Sequence, residues 1–292
     1  SIMRVFPAWA RALGISEKIV GIDCKIHDDP AVYRKVVSFI KNDPLSLGAL
    51  VTTHKIDLLT AARDYFDELG PYAQRLGEVS SISKRDGKLA GHAKDPITSG
   101  LSMAAFMPKD HWAKTGAELF CIGAGGSSVA LTCHILEEFA VADQPSRIVV
   151  SNRSQPRLEK MEKIHKQLNP AIPIEYHLAP EAAQTTALCN SLKPGSLVIN
   201  ASGLGKDAPG SPLSDDVEFP QGGYVWDFNY RGDLVFLDQA RAQQKEKNLF
   251  IEDGWIYFIH GWTRVIAEVF HIDIPTSGPE FDRLSEIAAS VR

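Results

Sequence analysis

Cysteine is scarce in this chain: Cys24, Cys121, Cys133 and Cys189 are all that 292 residues contain, and no two form a CxxC pair. Such spacing excludes a small disulfide scaffold and a cysteine-rich zinc site, and makes a reducing, cytoplasmic setting the simplest expectation. The nine histidines are scattered, with no HExxH and no Cys/His cluster, so no metal site is expected. Long apolar runs are missing as well. None reaches the roughly 18 residues of a membrane span, and the opening SIMRVFPAWAR lacks the apolar core of a signal peptide. Positive charge is not in excess either. The formal net charge of -5 excludes nucleic acid as the main partner, because phosphate binding wants a clustered basic face. Internal repeats and low-complexity tracts are absent. Hydrophobic residues are plentiful at 44%, enough for substantial cores, and the length suggests about two domains.

The middle of the chain alternates between short apolar strands and amphipathic helices. Strands are expected over 118–122, 147–151, 172–177, 196–201 and 224–228, and helices over 127–140, 155–168, 181–192 and 235–247. Short apolar strands between such helices imply a parallel sheet covered on both faces, hence an α/β doubly wound, Rossmann-type domain. The first hundred residues alternate more loosely, with strands expected over 19–23 and 48–52 and helices over 31–41 and 57–69. Asp86-Gly87 is a hairpin turn signal between two short strands. A long apolar helix over 255–270 falls outside the alternating block and is expected to return to the first domain. The expected organisation is a smaller α/β substrate domain over 1–97, a nucleotide domain over 98–254, and C-terminal helices over 255–292 that rejoin the first.

The stretch AELFCIGAGGSS ends an apolar run in Gly123-Ala124-Gly125-Gly126-Ser127 and leads into a helix. Taken alone it fits either a dinucleotide cradle or a plain strand-to-helix turn. The next strand ends in Asn152-Arg153-Ser154, with Arg157 after it, where an NAD-preferring site would carry an acidic residue on the ribose hydroxyls. Arg153 and Arg157 would instead face a 2′-phosphate, with Asn152 and Ser154 adding hydrogen bonds. The plain alternative is a solvated basic turn. A cation at a helix start opposes the helix dipole, and an anion supplies the missing justification, so NADP(H) is the favoured cofactor.

At this point the sequence resembles the shikimate dehydrogenase family over nearly the whole chain. Val51-Thr52-Thr53-His54-Lys55 resembles its NVTxPxK strand end. Leu76 to Ile82, with Arg85-Asp86-Gly87-Lys88-Leu89-Ala90-Gly91 and Asp95, resembles its GAVNTI and DGKLxGxNTD block. Gly123 to Gly126 resembles its GAGG loop, and Asn152-Arg153-Ser154 with Arg157 its NADP signature. Asn200-Ala201-Ser202-Gly203-Leu204-Gly205 resembles its NATPxG turn, and Asp227-Phe228-Asn229-Tyr230 its DxxY segment. Gly254 resembles the glycine before its last helices. Six motifs in the right order and spacing are specific together where none is alone.

The resemblance implies reversible hydride transfer between NADP(H) and a ring carbinol of a cyclic polyhydroxy acid, within the shikimate pathway of aromatic amino acid biosynthesis. It also implies an active site in a cleft between two domains. Lys55 and Asp95 match the family's catalytic pair. A lysine takes the hydroxyl proton if its pKa is lowered, or shuttles it in concert with the carboxylate. Ser202, Gly205 and Gly254 join the cofactor residues, and Thr52 and Tyr230 the substrate residues. Thr53 is an alternative to Thr52, because the NVTxPxK match runs one residue short.

The substrate side departs from the family. Arg4-Val5-Phe6-Pro7 stands where the family holds the carboxylate with two serines. Arg4 would then hold it as an ion pair, or else is a surface residue beside a core Phe6. Ser80 stands for an asparagine and is carried as a substrate residue, Ala93 stands for another asparagine, and Gly261 for a glutamine. Losing several polar partners shifts the expected substrate away from shikimate itself. His54 and His260 are expected as packed or hydrogen-bonded residues. The family's first strand precedes the serine segment, whereas three residues precede Arg4 here; either that strand is absent, which would leave a sheet edge to cover, or the sequence begins after a piece of the protein. The expected partner is a small cyclic hydroxy acid, with no nucleic acid and no membrane. Monomer and homodimer both stay open. A non-catalytic NADP(H)-binding sensor is the alternative, disfavoured because a sensor has little need of both Lys55 and Asp95.

Overall fold

The computed structural model describes residues 2–206 and 208–291. The chain divides into two compact units, Ser1–Thr98 with Ile259–Arg292, and Ser99–Phe258.

The first unit opens with α1 (Ile2–Leu13), which buries Val5, Phe6, Trp9 and Ala10 on one face. Helix α2 (Pro30–Asn42) starts at a proline, with Asp29 as N-cap accepting from the Ala31 N–H at 2.8 Å. Strand β1 (Gly48–Leu50), α3 (Lys55–Ala62), β2 (Glu68–Leu69), α4 (Pro71–Leu76), β3 (Ser81–Arg85) and β4 (Lys88–His92) follow, and α5 (Asp95–Ala104) leads out of the unit. The sheet order is β1-β3-β4-β2. Asp86 and Gly87 turn the β3–β4 hairpin with φ of 52° and 76°, a conformation matched to strand twist.

Two expectations fail in this unit. Residues 19–23 form no strand, and Val20 and Ile22 are 80% and 50% exposed. Among the described residues this segment pairs with no strand, and its backbone joins no ladder. The helix expected over 57–69 stops at Ala62. The backbone bond from Asp67 to Leu89, at 2.9 Å, draws Glu68 and Leu69 into the sheet as β2.

In the second unit come α6 (His111–Thr115), β5 (Leu119–Ile122), α7 (Gly126–Glu138), β6 (Ile148–Asn152), α8 (Gln155–Gln167), β7 (Ile174–Leu178), α9 (Ala182–Asn190), β8 (Leu197–Asn200), β9 (Tyr224–Asp227), α10 (Val235–Lys247) and β10 (Phe250–Glu252). The strands make one doubly wound, all-parallel sheet in the order β10-β9-β8-β5-β6-β7. Every residue of β5 and β8 is buried, as a sheet covered on both faces requires. Phe120, Val149, Val198, Val225, Phe219 and Phe236 lie in its core. The order reverses between β5 and β8, where open α/β sheets bind ligands beyond the strand ends.

Helix α11 (Trp255–Phe270) has its residues from Ile259 onward in the first unit, as does all of α12 (Pro279–Ser290). There α12 packs on α1, and Trp9 Nε1 donates to the Leu284 carbonyl at 2.7 Å. Among the described residues no helix is long and apolar enough to cross a membrane.

Candidate active site

At the switch point of the second unit lies a pocket lined by Gly123, Ala124 and Gly125 after β5, and by Asn152, Arg153 and Arg157 after β6. Ala201, Ser202 and Leu204 after β8 complete this part of its wall. Gly123 has φ of 116°, and a Cβ there would stand 2.6 Å from the Ala201 carbonyl oxygen, so glycine lets the two turns meet. Gly125, the N-cap of α7, has open space around it. Its missing side chain leaves the α7 N-terminus, with its free N–H groups, open to an anion.

Arg153 and Arg157 are exposed, and neither has an ion-pair partner among the described residues. The first turn of α8 carries no acidic residue and Ser154 makes no side-chain cap. Two uncompensated cations at a helix start fit a phosphate ester. Of the other expected cofactor residues, Gly126 and Ser127 begin α7. Gly205 turns with φ of 91° at the end of the loop, and Gly254 is buried where a Cβ would stand 2.1 Å from the Phe228 carbonyl oxygen. Gly254 therefore serves close backbone packing.

The first unit brings Lys55 and Asp95 together. Lys55 begins α3 and Asp95 begins α5, and Lys55 Nζ donates to Asp95 Oδ2. Burial pulls the ammonium down, but the Asp95 and Glu78 carboxylates outweigh it and hold Lys55 above the ordinary lysine value. The amine thus sits as an ammonium beside carboxylates.

Glu78 escaped the sequence reading. It is buried next to a residue whose N–H bonds the Lys55 carbonyl, at 3.2 Å from Val79. The available signal was an acidic residue in Gly77-Glu78-Val79, where the family motif has alanine.

Ser80 is engaged by the backbone. Its hydroxyl accepts from the Lys94 N–H at 2.7 Å and lies 3.4 Å from the His92 carbonyl, which it can donate to, and the residue is buried. The hydroxyl thus bridges the residue before β3 to the backbone at the end of β4. Arg4 is exposed on α1, while Phe6 is buried and stacks on Phe270. Thr52 and Thr53 are exposed between β1 and α3. Tyr230, in the second unit, packs against Trp255 and Phe258. His54 bonds Tyr33 at 3.1 Å, and buried His260 stacks on Phe281. Burial pushes His260 down to about 4. In Gly261 an added Cβ would meet nothing, so the missing side chain leaves open space on α11.

No family model matches the chain. Among curated proteins it is similar to a shikimate dehydrogenase (NADP+) of Streptococcus thermophilus, at 29% identity over 184 residues, 62% of this chain and 60% of that protein. The match thus spans about 60% of the length of that relative. Among solved structures it is similar to shikimate dehydrogenase of Aquifex aeolicus, with a TM-score of 0.73 at 19% identity, covering 99% of this chain and 92% of that one. It is also similar to 5-ketofructose reductase of a Gluconobacter species, with a TM-score of 0.72 at 18% identity, covering 99% and 93% of the two chains. The chain is thus similar in sequence to shikimate dehydrogenases over 62% of its length, and it shares their fold over 99% of it.

Proposed function

We propose that this chain is an NADP-dependent oxidoreductase of the shikimate dehydrogenase type, acting reversibly at a ring carbinol of a cyclic polyhydroxy acid related to shikimate. The observation that carries this reading is the Lys55–Asp95 pair, for which a protein that only senses the cofactor has no use. NADP(H), when bound, supplies or accepts the hydride. The Gly123–Gly125 backbone and the α7 N-terminus, with Gly126 and Ser127, would hold the pyrophosphate. Arg153 and Arg157, with Asn152 and Ser154, would hold the 2′-phosphate.

Lys55 rests as an ammonium, so in the carbonyl-reducing direction it gives a proton to the oxygen that becomes the hydroxyl. Asp95 accepts the hydrogen bond that fixes the lysine and steadies the positive charge it carries before the transfer. In the alcohol-oxidising direction Lys55 must first lose a proton that two carboxylates help it keep. Oxidation should therefore rise with pH, with no plateau below the ordinary lysine value of about 10.4. Thr52 and Tyr230 would donate to the substrate. The spent hydroxyl of Ser80 and the empty position at Gly261 favour a substrate other than shikimate.

Hydride transfer from NADPH and to NADP+, with NADH and NAD+ in parallel, would be followed by absorbance against shikimate, quinate, aminoshikimate, their keto forms and 5-ketofructose. Turnover that Lys55→Ala abolishes with NADPH affinity intact is the expected outcome. Normal turnover in that variant would sink the mechanism. Tight NADPH binding with silence across the panel would favour the sensor.

A further inference from the structure

The turn after β8 carries Ser202 and Leu204 into the pocket wall, and a buried polar cluster that has no role above sets its shape. Asn200 ends β8 and Asp227 ends β9. They face each other in register, and both are fully buried. Asn200 Oδ1 accepts from the Ser202 N–H at 3.1 Å and from its hydroxyl at 2.7 Å. Asn200 Nδ2 donates to the Leu204 carbonyl and to Asp227 Oδ2, both at 3.1 Å. These partners settle which end of the amide is which, because a backbone N–H only donates and a carbonyl only accepts. Asn200 therefore turns a donor toward Asp227. On the other side the Asn229 N–H donates to Asp227 Oδ1 at 2.8 Å, and Asn229 Nδ2 reaches the same Leu204 carbonyl at 3.0 Å.

Asp227 is thus faced by two donors. A carboxylate offers an acceptor to each. An amide of the same size offers one acceptor and turns a donor against the other group. Burial pushes Asp227 up to about 7 against the pull of the bonds from Asn229 and Asn200, so its charge is costly here. An asparagine would avoid that cost, which points to the paired acceptors as what the position needs.

We propose that Asp227 is a positioning residue: acting through Asn200 and Asn229, it holds the turn over 201–206 in the shape that walls the dinucleotide pocket. The proposal rests on the reading of that pocket as an NADP(H) site. Asp227 is not itself among the lining residues. The turn also backs the glycine loop where Gly123 meets Ala201, so a displaced turn disturbs both walls.

The test compares wild type, Asp227→Asn, Asn229→Ala and Arg153→Ala by amide hydrogen exchange and by NADPH and NADH titration. In Asp227→Asn, exchange over 202–206 should rise at least tenfold while β5 and β6 stay protected. Both dinucleotides should weaken by a similar factor of about ten. Arg153→Ala should weaken NADPH alone. Unchanged exchange over 202–206 in Asp227→Asn would overturn the proposal, as would unchanged binding of both dinucleotides. If wild type binds neither dinucleotide, the cofactor reading fails and exchange alone decides the positioning role. If Asp227→Asn loses protection everywhere, Asn229→Ala decides, because it removes one donor to Leu204 and keeps the N–H that meets Asp227. A smaller rise confined to 203–206 supports the proposal, and no rise refutes it.

Discussion

Two alanine substitutions two residues apart in the glycine loop should fail in opposite ways. At Gly123 a Cβ would stand 2.6 Å from the Ala201 oxygen, 2.8 Å from its carbon and 3.0 Å from the Ser202 nitrogen. All three are backbone atoms and cannot rotate away. A positive φ costs a non-glycine residue about 1–2 kcal/mol, and overpacking of this kind adds about 1–3 kcal/mol. Gly123→Ala should therefore destabilise the second unit by roughly 2–5 kcal/mol, with about 2–4 °C of melting temperature lost per kcal/mol. Gly125 has φ of -88° and nothing within 4 Å of its would-be Cβ. The weaker N-cap and the stiffer unfolded chain nearly cancel there, each at about 0.5–1 kcal/mol. Its methyl group would instead stand in the cradle and remove at least one charge-assisted hydrogen bond, about 1.5–3 kcal/mol. That corresponds to about ten- to hundredfold in NADPH affinity. Thermal melts without ligand and fluorescence titrations with NADPH separate the two effects. If Gly123→Ala melts like wild type, or Gly125→Ala binds NADPH like wild type, this account of the loop is wrong.

Replacing Arg153 or Arg157 with alanine should cost about 1.5–3 kcal/mol of NADP(H) affinity for each charge-assisted hydrogen bond to the phosphate that disappears. NAD(H) affinity should hardly change, and equal losses for both dinucleotides in titrations would refute the phosphate assignment. His165, buried between Thr132 at 2.7 Å and Tyr176 at 2.6 Å, is held down to about 4 by burial. Its folded pKa lies below the 6.5 of the free residue, so its contribution to stability is present above 6.5 and is lost as pH falls toward 4. At about 1.4 kcal/mol per unit, denaturant titrations of wild type should lose more between these limits than those of His165→Gln, and parallel curves would contradict the assignment. Ser80→Ala leaves the Lys94 N–H without its bond and should lower stability by about 1–3 kcal/mol. Its KM should not move; a raised KM with unchanged melting would return Ser80 to the substrate.

The second unit was legible because its signals are local. Fully buried strands read as apolar runs, helices as amphipathic segments, and the Gly123–Gly125 turn sits where a strand meets a helix. The first unit was harder. Residues 19–23 have a strand's pattern, but pairing depends on a neighbour that no local pattern reveals. Helix α1 was missed although its buried face repeats at helical spacing, because it was matched to a serine segment. Ser80 shows the limit for the site. Its residue type suits a substrate contact, and only the positions of Lys94 and His92 show its hydroxyl already engaged. Lys55 and Asp95, 40 residues apart, were joined by motif order, whereas Glu78, which also helps hold Lys55 charged, lies close by a proximity that no spacing announced.

The bond between Trp9 and Leu284 joins residues 275 positions apart. During synthesis the apolar face of α1 leaves the ribosome about 275 residues before the helix that covers it. At about 5–20 residues per second, that face waits for roughly 15–55 seconds. The contacts of the second unit lie within Ser99–Phe258, so it can form while the first is still unfinished. Val5, Phe6 and Trp9 are then the residues a nascent chain most needs shielded, and a chaperone that holds the N-terminal segment should raise the yield of folded protein more than one that holds the middle.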